Sequence, residues 1–234
     1  MQHNNTVVVP TYNNPQSIEK VARDVLDNGY LLVIVDDGSD ERVDKVLSFH
    51  DPRMRIIRHE VNRGKGAAIV TGAKEVQSMG KSFFASIDGD GQHLASEIEK
   101  MTAAIEGEDQ IIIGARNLGM EDVPNGSKFG RWFSNFWACW DTGQTITDSL
   151  SGFRIYPVSI LDLPIKTERF DWEMEVLVRH AWKNRIIKEV PVECYYPKPE
   201  ERVSHFKKFW DTMAIVMVHV RLLPQKYIFG IKES

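Results

Sequence analysis

Apolar runs punctuate this chain, and most of them end in polar or glycine-rich residues. Thr6–Val9 leads into Pro10-Thr11-Tyr12-Asn13, and Tyr30–Val35 into Asp36-Asp37-Gly38-Ser39. Arg55–Arg58 leads towards Asn62-Arg63-Gly64-Lys65-Gly66, and Ser82–Ile87 into Asp88-Gly89-Asp90-Gly91-Gln92-His93. Gln110–Gly114 ends in Ala115-Arg116, and a later run spans Ile186–Val190. Short runs bounded by Gly, Asn and Asp predict buried strands. Between them apolar residues recur at helical spacing. These are Ile18, Val21, Ala22, Val25 and Leu26 within 15–28; Val43, Val46 and Leu47 within 40–49; Ile69, Val70, Ala73 and Val76 within 66–79; and Ile98, Met101, Ala104 and Ile105 within 94–106. Alternating strand and helix patterns predict an α/β fold with a mostly parallel central sheet flanked by helices. The polar strand ends then share one sheet edge, where open α/β sheets bind ligands.

After about Asn117 the pattern changes. A Gly-rich stretch, 119–126, precedes Phe129, Trp132, Phe133, Phe136, Trp137 and Trp140, which recur on one helical face. Such a stripe either packs into a core or lies in the bilayer edge, with Lys128 and Arg131 at headgroup level. Thr147–Arg154 follows, then a helix pattern over 172–182. A last helix pattern runs from Phe206 to about Leu223, with a predicted stop at Pro224. Arg202, His205, Lys207 and Lys208, interleaved with Phe206, Phe209 and Trp210, form a second candidate anchor. The expectation is one domain over 1–234, with 1–116 as its ligand-binding half and 117–234 as a C-terminal helical elaboration.

Composition narrows the class. The chain has 234 residues, 42% hydrophobic and 26% charged, with a net charge of −4, an ordinary globular composition with no general attraction to nucleic acid. Its two cysteines, Cys139 and Cys194, lack metal-ligand spacing and form no disulfide framework, which fits a reducing compartment. The N-terminal residues are polar and not of signal-peptide type, and no apolar run reaches membrane-spanning length. A cytoplasmic protein that lies on a membrane rather than through it is expected.

Asp88 and Asp90 are the leading candidate chemistry. Carboxylates one residue apart can hold a hard divalent cation, with phosphate and water completing its shell. Gln92 adds an oxygen and His93 a nitrogen, although His93 is more often a structural hydrogen bonder. Read alone, the hexapeptide also fits a polar turn. The turn after the first strand lacks G-x-G-x-x-G, and Gly64-Lys65-Gly66 does not complete a Walker A loop. That tripeptide still suits either a phosphate at a helix N-terminus or a plain strand-to-helix turn.

Taken in order, Val9-Pro10-Thr11-Tyr12-Asn13, Val35-Asp36-Asp37-Gly38-Ser39, Asn62-x-Gly64-Lys65-Gly66 and Asp88-x-Asp90-Gly91-Gln92-His93 resemble the family 2 glycosyltransferases with the GT-A fold. Gly114-Ala115-Arg116, Arg131-x-x-Ser134, Asp148-x-x-Ser151-Gly152-Phe153-Arg154 and Glu189-Val190-Pro191-Val192 resemble the dolichol/polyprenyl-phosphate branch. The resemblance implies a nucleotide-sugar donor, GDP-mannose or a UDP-sugar, used with Mg²⁺ or Mn²⁺. It implies base and ribose contacts from Pro10, Tyr12 and Asp37. Asp88, Asp90 and Gln92 match its metal and diphosphate positions, flanked by Gly89 and Lys65. Arg116, Arg131 and Ser134 match the positions that receive the acceptor phosphate, and Arg154 and His205 are further candidates. The chain departs from the family pattern at Asn14, where Glu is common, at Gly89, where Ala is common, and at 202–206, where Ser-Lys is common.

The implied activity is inverting transfer of a hexose to a polyprenyl phosphate or related lipid-linked acceptor. A phosphate acceptor needs orienting cations such as Arg116, Arg131 and Arg154, and no base. A hydroxyl acceptor needs a base, for which Asp148 is the candidate. Asp148 alternatively orders Arg154 or the Ser151-Gly152 turn. A nucleotide-sugar-binding scaffold without transfer is the rival outside catalysis.

Overall fold

The computed structural model describes residues 5–116, 125–194 and 208–227. In chain order the elements are β1 (Thr6–Thr11), α1 (Ile18–Asp27), β2 (Leu31–Asp36), α2 (Val43–Val46), β3 (Met54–Arg58), α3 (Lys65–Ser78), β4 (Phe83–Ser86) and α4 (Glu97–Thr102). There follow β5 (Ile111–Arg116), α5 (Asn125–Thr142), β6 (Arg154–Pro157), a 3₁₀ helix (Val158–Asp162), α6 (Trp172–Trp182), β7 (Ile187–Val192) and α7 (Lys208–Tyr227).

The strands form one seven-stranded sheet in the order β3-β2-β1-β4-β6-β5-β7. β1 pairs in parallel with β2 and β4, β2 with β3, and β5 with β7. β6 runs antiparallel to both of its neighbours. Because side chains alternate across a strand, each sheet face supports its own core. Val8, Val33 and Val35 face α3, α5, α6 and α7, whereas Val7, Val9, Leu32 and Ile34 face α1 and α4. Gly72 lets α3 lie directly on β1, since a Cβ there would collide with Val8.

The order of connections creates the ligand cleft. From β1 the chain builds outward to β2 and β3, then returns to place β4 on the other side of β1. The β1–β4 ladder extends only from Thr6 to Val8, whereas β1–β2 continues to Thr11. The C-terminal ends of β1 and β4 therefore part, as at the switch point of a doubly wound sheet. Pro10 lies beyond the β4 pairing, so the N–H it lacks is not needed there.

Three elements differ from expectation. The helix within 40–49 contains only Val43–Val46, because Leu47 is extended, at ψ 126. Pro224 does not stop the last helix, which continues to Tyr227. A proline in the final turn displaces a single upstream carbonyl contact, and few residues follow it. β6 carries no strand signal in the sequence. It is four residues long, all buried, and begins with an arginine.

Candidate active site

The Asp88–Asp90 loop leaves β4 at the cleft and is clamped from both sides. On the β1 side, Ser17 Oγ donates to Gly89 O at 2.6 Å. Gly89 lies so close to Thr11 that a Cβ would stand 2.8 Å from its Oγ1. On the opposite side Gly152 presses on the loop, and a Cβ there would meet both Asp88 Oδ2 and Lys65 Nζ at 2.5 Å. The Ser151-Gly152-Phe153 turn thus needs glycine for close approach.

Lys65, the first residue of α3, places its ammonium 2.7 Å from Asp88 Oδ1 and 3.0 Å from Glu173 Oε2. Burial alone would lower the Lys65 pKa, but the Asp88 and Glu173 charges outweigh it and hold the pKa above the ordinary lysine value. Burial likewise opposes ionisation of Asp88, and Lys65 overcomes it, keeping Asp88 below the usual carboxylate range. Asp90 is pushed up to about 6, first by burial and then by the neighbouring Asp88 charge. Gln92 N–H donates to Asp90 Oδ1 at 3.0 Å.

Asp148 holds Arg116, whose charge reaches Asp88. It is fully buried and accepts from Arg116 Nε and Nη2, both at 2.8 Å, and from Arg116 N–H at 3.1 Å. Burial opposes its ionisation, but the Arg116 hydrogen bonds dominate, and Arg131 contributes in the same direction; its pKa is lowered. Glu189 on β7 fixes the approach to Asp148 by accepting from the Thr147 and Asp148 N–H groups. His93 senses the whole constellation. Burial brings its pKa down to about 4, with Asp88, Arg116, Lys65 and Asp148 acting on it in turn. Its ring packs 5.0 Å from Phe153, and its Nδ1 lies 3.3 Å from Cys194 Sγ, which supports the structural reading of this histidine. A cavity of about 380 Å³ flanks the loop on the α1 side, lined by Lys20, Asp24, Gly91, His93, Glu193 and Cys194. It adjoins the carboxylates but does not contain them.

The residues expected at the site divide into two groups. Asp88, Asp90, Lys65, Arg116 and Asp148 are brought together. Pro10 is buried at the end of β1, and Tyr12 follows at the cleft. Arg154 requires correction. It is fully buried, and its guanidinium donates to Ser151 O, Ser149 O, Glu173 O and Tyr156 Oη. It knits the site turn to β6 and α6 and is closed to an acceptor phosphate. Asp148 orders Arg116, not Arg154. Ser134 is buried and shares a 3.0 Å hydrogen bond with Ser149 Oγ, so it too supports the turn from behind. Asp37 is 3% exposed and accepts from Arg63 N–H, Gly64 N–H and His59, which shapes the α3 entry turn. Lys65 reaches the cleft through Asp88 rather than as an open phosphate ligand. His205 lies outside the described residues, as do the side chains of Lys128, Lys208, Phe209 and Trp210.

Glu173 joins the site from outside every motif noted in the sequence. Its sequence signal is a compositional one. The segment Trp172-Glu173-Met174-Glu175-Val176-Leu177 places two acids in a helix that is buried at every position, and buried acids need partners.

The donor set at Asp88 and Asp90 is hard oxygen. Among the described residues, no cluster of three or more His, Cys, Asp or Glu residues is arranged to hold a metal. The two carboxylates fit a cation of the Mg²⁺ or Mn²⁺ type whose remaining ligands come from phosphate and water.

A mixed α/β sheet with an acidic pair at its switch point defines the GT-A class of glycosyltransferases. Residues 6–158 match the glycosyl transferase family 2 model, and the chain belongs to that family and is a glycosyltransferase. It is 27% identical over 214 residues to the UDP-N-acetylglucosamine–dolichyl-phosphate N-acetylglucosaminyltransferase of Methanococcus voltae, covering 81% of this chain and 85% of that protein. It is 25% identical over 198 residues to the undecaprenyl-phosphate mannosyltransferase of Micrococcus luteus, covering 79% and 81% respectively. Among solved structures, glucosyl-3-phosphoglycerate synthase from Mycobacterium tuberculosis, bound to Mn²⁺, UDP-glucose and phosphoglyceric acid, superposes with a TM-score of 0.66. That match covers 93% of this chain and 79% of the other at 14% identity, a likeness of fold.

Proposed function

We propose that this glycosyltransferase moves a hexose from a nucleoside-diphosphate sugar to a polyprenyl phosphate at a membrane surface, with a divalent cation on Asp88 and Asp90. The observation that carries this reading is the gathering of the Asp88/Asp90 pair and the Arg116–Asp148 fork around His93, close enough for the Arg116 charge to act on Asp88. The acidic pair would hold a cation that neutralises a pyrophosphate, and the Arg116 fork suits an anionic acceptor. The dolichyl- and undecaprenyl-phosphate relatives support the same acceptor class.

When bound, the cation would supply charge neutralisation for the departing diphosphate. The protein's own groups do the rest. Asp88, fixed by Lys65, and Asp90, fixed by the Gln92 N–H, set where the diphosphate lies. Tyr12 and the end of β1 line the nucleoside side. Arg116 is oriented by its fork to Asp148, and Arg131 adds a second positive charge near the same carboxylate. A phosphate oxygen steered there is already anionic and attacks the anomeric carbon from the side opposite the diphosphate, inverting it. A hydroxyl acceptor would require a base, and Asp148 is poorly suited to that role because both of its oxygens are bonded to Arg116.

On this reading 1–116 serves the donor and 117–234 the acceptor. The exposed α5 ridge of Trp132, Phe136 and Trp140 supports contact with the bilayer interface, where amphipathic aromatic rings are favoured. Among the described residues no helix is long and apolar enough to cross a membrane; the attachment we propose is peripheral, on the cytoplasmic face.

The test is a transfer assay with UDP- and GDP-sugars and a short-chain polyprenyl phosphate, with Mn²⁺ or EDTA. Cation-dependent formation of a glycosyl phospholipid is expected. Transfer that survives EDTA, or that occurs to hydroxyl acceptors but not to the lipid phosphate, overturns the reading. A thermal-shift series with UDP and GDP plus Mn²⁺ identifies the base, since a ligand that binds the native state raises Tm.

A further inference from the structure

Lys65 is held between carboxylates from separate parts of the fold, Asp88 after β4 and Glu173 at the start of α6. The Glu173 end of this bridge is closely packed and hydrogen-bonded. Gly64 and Gly66 let the start of α3 press on α6: a Cβ on Gly64 would stand 2.6 Å from Glu168 O, and one on Gly66 would collide with Trp172. Ala67 N–H donates to Glu168 O at 2.9 Å, and Arg154 Nη1 donates to Glu173 O at 2.7 Å. Glu173 is 8% exposed, and its Oε1 is buried without a hydrogen-bond partner. A buried carboxylate with only one oxygen engaged is costly unless its charge is needed there.

We propose that Glu173 is a positioning residue that retains the Lys65 ammonium while Asp88 is released to a divalent cation. Lys65 and a cation compete for Asp88. With two carboxylates sharing Lys65, Asp88 can release its share of that contact and the ammonium still has a partner. Without the Glu173 charge, Lys65 falls wholly to Asp88. The site also loses one negative charge. Both effects weaken cation binding, so the direction is unambiguous. The proposal rests on the cation-dependent reading of Asp88 and Asp90.

The test measures Mn²⁺ directly, by the loss of the free-ion paramagnetic resonance signal, with Mn²⁺ alone and with Mn²⁺ plus UDP or GDP. Glu173→Gln keeps the shape and removes the charge. It should raise the Mn²⁺ Kd about tenfold, the scale of one lost charge-assisted contact, and shift the Mn²⁺ dependence of transfer in parallel. Glu173→Asp restores the charge with a shorter reach and should recover most of the affinity, also covering the case in which the Gln variant folds poorly. A residue that only braces α6 would move Tm and leave the Mn²⁺ Kd alone. Unchanged Mn²⁺ affinity in folded Glu173→Gln, with normal binding by the wild-type protein, overturns this role and leaves the cation reading standing. Failure of the wild-type protein to bind Mn²⁺, even with nucleoside diphosphate, overturns both.

Discussion

Asp88 and Asp90 stand one residue apart in different electrostatic surroundings. Asp88 faces an ammonium, whereas Asp90 carries a pKa raised to about 6 by burial and by Asp88. An acid whose folded pKa exceeds its unfolded value near 4 destabilises the fold as pH rises through that window, and the loss is complete above it. Asp90→Asn should therefore raise the Tm of the cation-free protein at pH 7.5 by about 2–5 °C. Transfer should fall by at least about a hundredfold, the scale expected when a charge-stabilising group is removed. Differential scanning fluorimetry and a turnover assay on the same preparation check both halves. Asp148 calls for the opposite experiment. Asp148→Asn breaks the fork that aims Arg116, so stability should drop by about 2 kcal/mol. The KM for the acceptor should rise while donor binding, read by calorimetry, is retained. Loss of kcat alone with an unchanged acceptor KM would return Asp148 to the role of base.

At the scale of elements, α5 shows which of its aromatics are buried and which are exposed. Its aromatic stripe divides. Ser134 and Ala138 face inward, and Trp137 packs 5.8 Å from the His219 ring of α7, while Trp132, Phe136 and Trp140 point outward. The outward rings stack at 6.0 and 6.2 Å. α7 adds Met213, Met217 and Val220, all exposed at helical spacing. Replacing Trp132 and Phe136 with Ser should leave Tm within about 1 °C, because exposed positions contribute little to folding. Sedimentation with anionic vesicles should weaken by at least about tenfold, since each aromatic gains apolar burial at the interface. Unchanged vesicle binding would remove α5 as the contact. The boundary between legible and illegible elements has a physical basis. β1, β2 and β4 are apolar runs ending in turn residues, so pattern alone finds them. β6 begins at Arg154, whose burial depends on main-chain carbonyls of residues 149, 151 and 173. Those carbonyls converge only after folding, and no local pattern records it. For the same reason Asp88 and Asp90 stand out in the sequence, whereas the Lys65–Glu173 contact, 108 positions apart, does not.

At the scale of the whole molecule, two buried histidines add to the acid sensitivity of the fold. His180 is fully buried, donates from Nε2 to Ile186 O at 3.3 Å, and has a buried Nδ1 without a hydrogen-bond partner. Burial, aided by Arg185, holds its pKa down to about 4. The unfolded chain takes up this proton near pH 6.5 and the native protein does not. The resulting stability is intact above pH 6.5 and is lost as pH falls towards 4, up to roughly 3 kcal/mol across that span. His93 acts with the same sign. Urea unfolding at stepped pH should show His180→Gln losing close to one proton's worth of slope between pH 6.5 and 4, and an unaltered slope would assign the acid sensitivity elsewhere.

The insertion of β6 has a consequence for synthesis. Among the described residues, β5 gains its ladder only from β6 and β7, and the outer side of β4 only from β6. A nascent chain that has emerged through Arg116 therefore carries three unpaired strand margins rich in Ile and Phe, two of which wait for Arg154–Pro157 and the third for Ile187–Val192. Such margins invite association between chains. Expressed alone, residues 1–116 should accumulate as aggregate, and supplying 117–234 in trans should recover soluble material only when both pieces are made together.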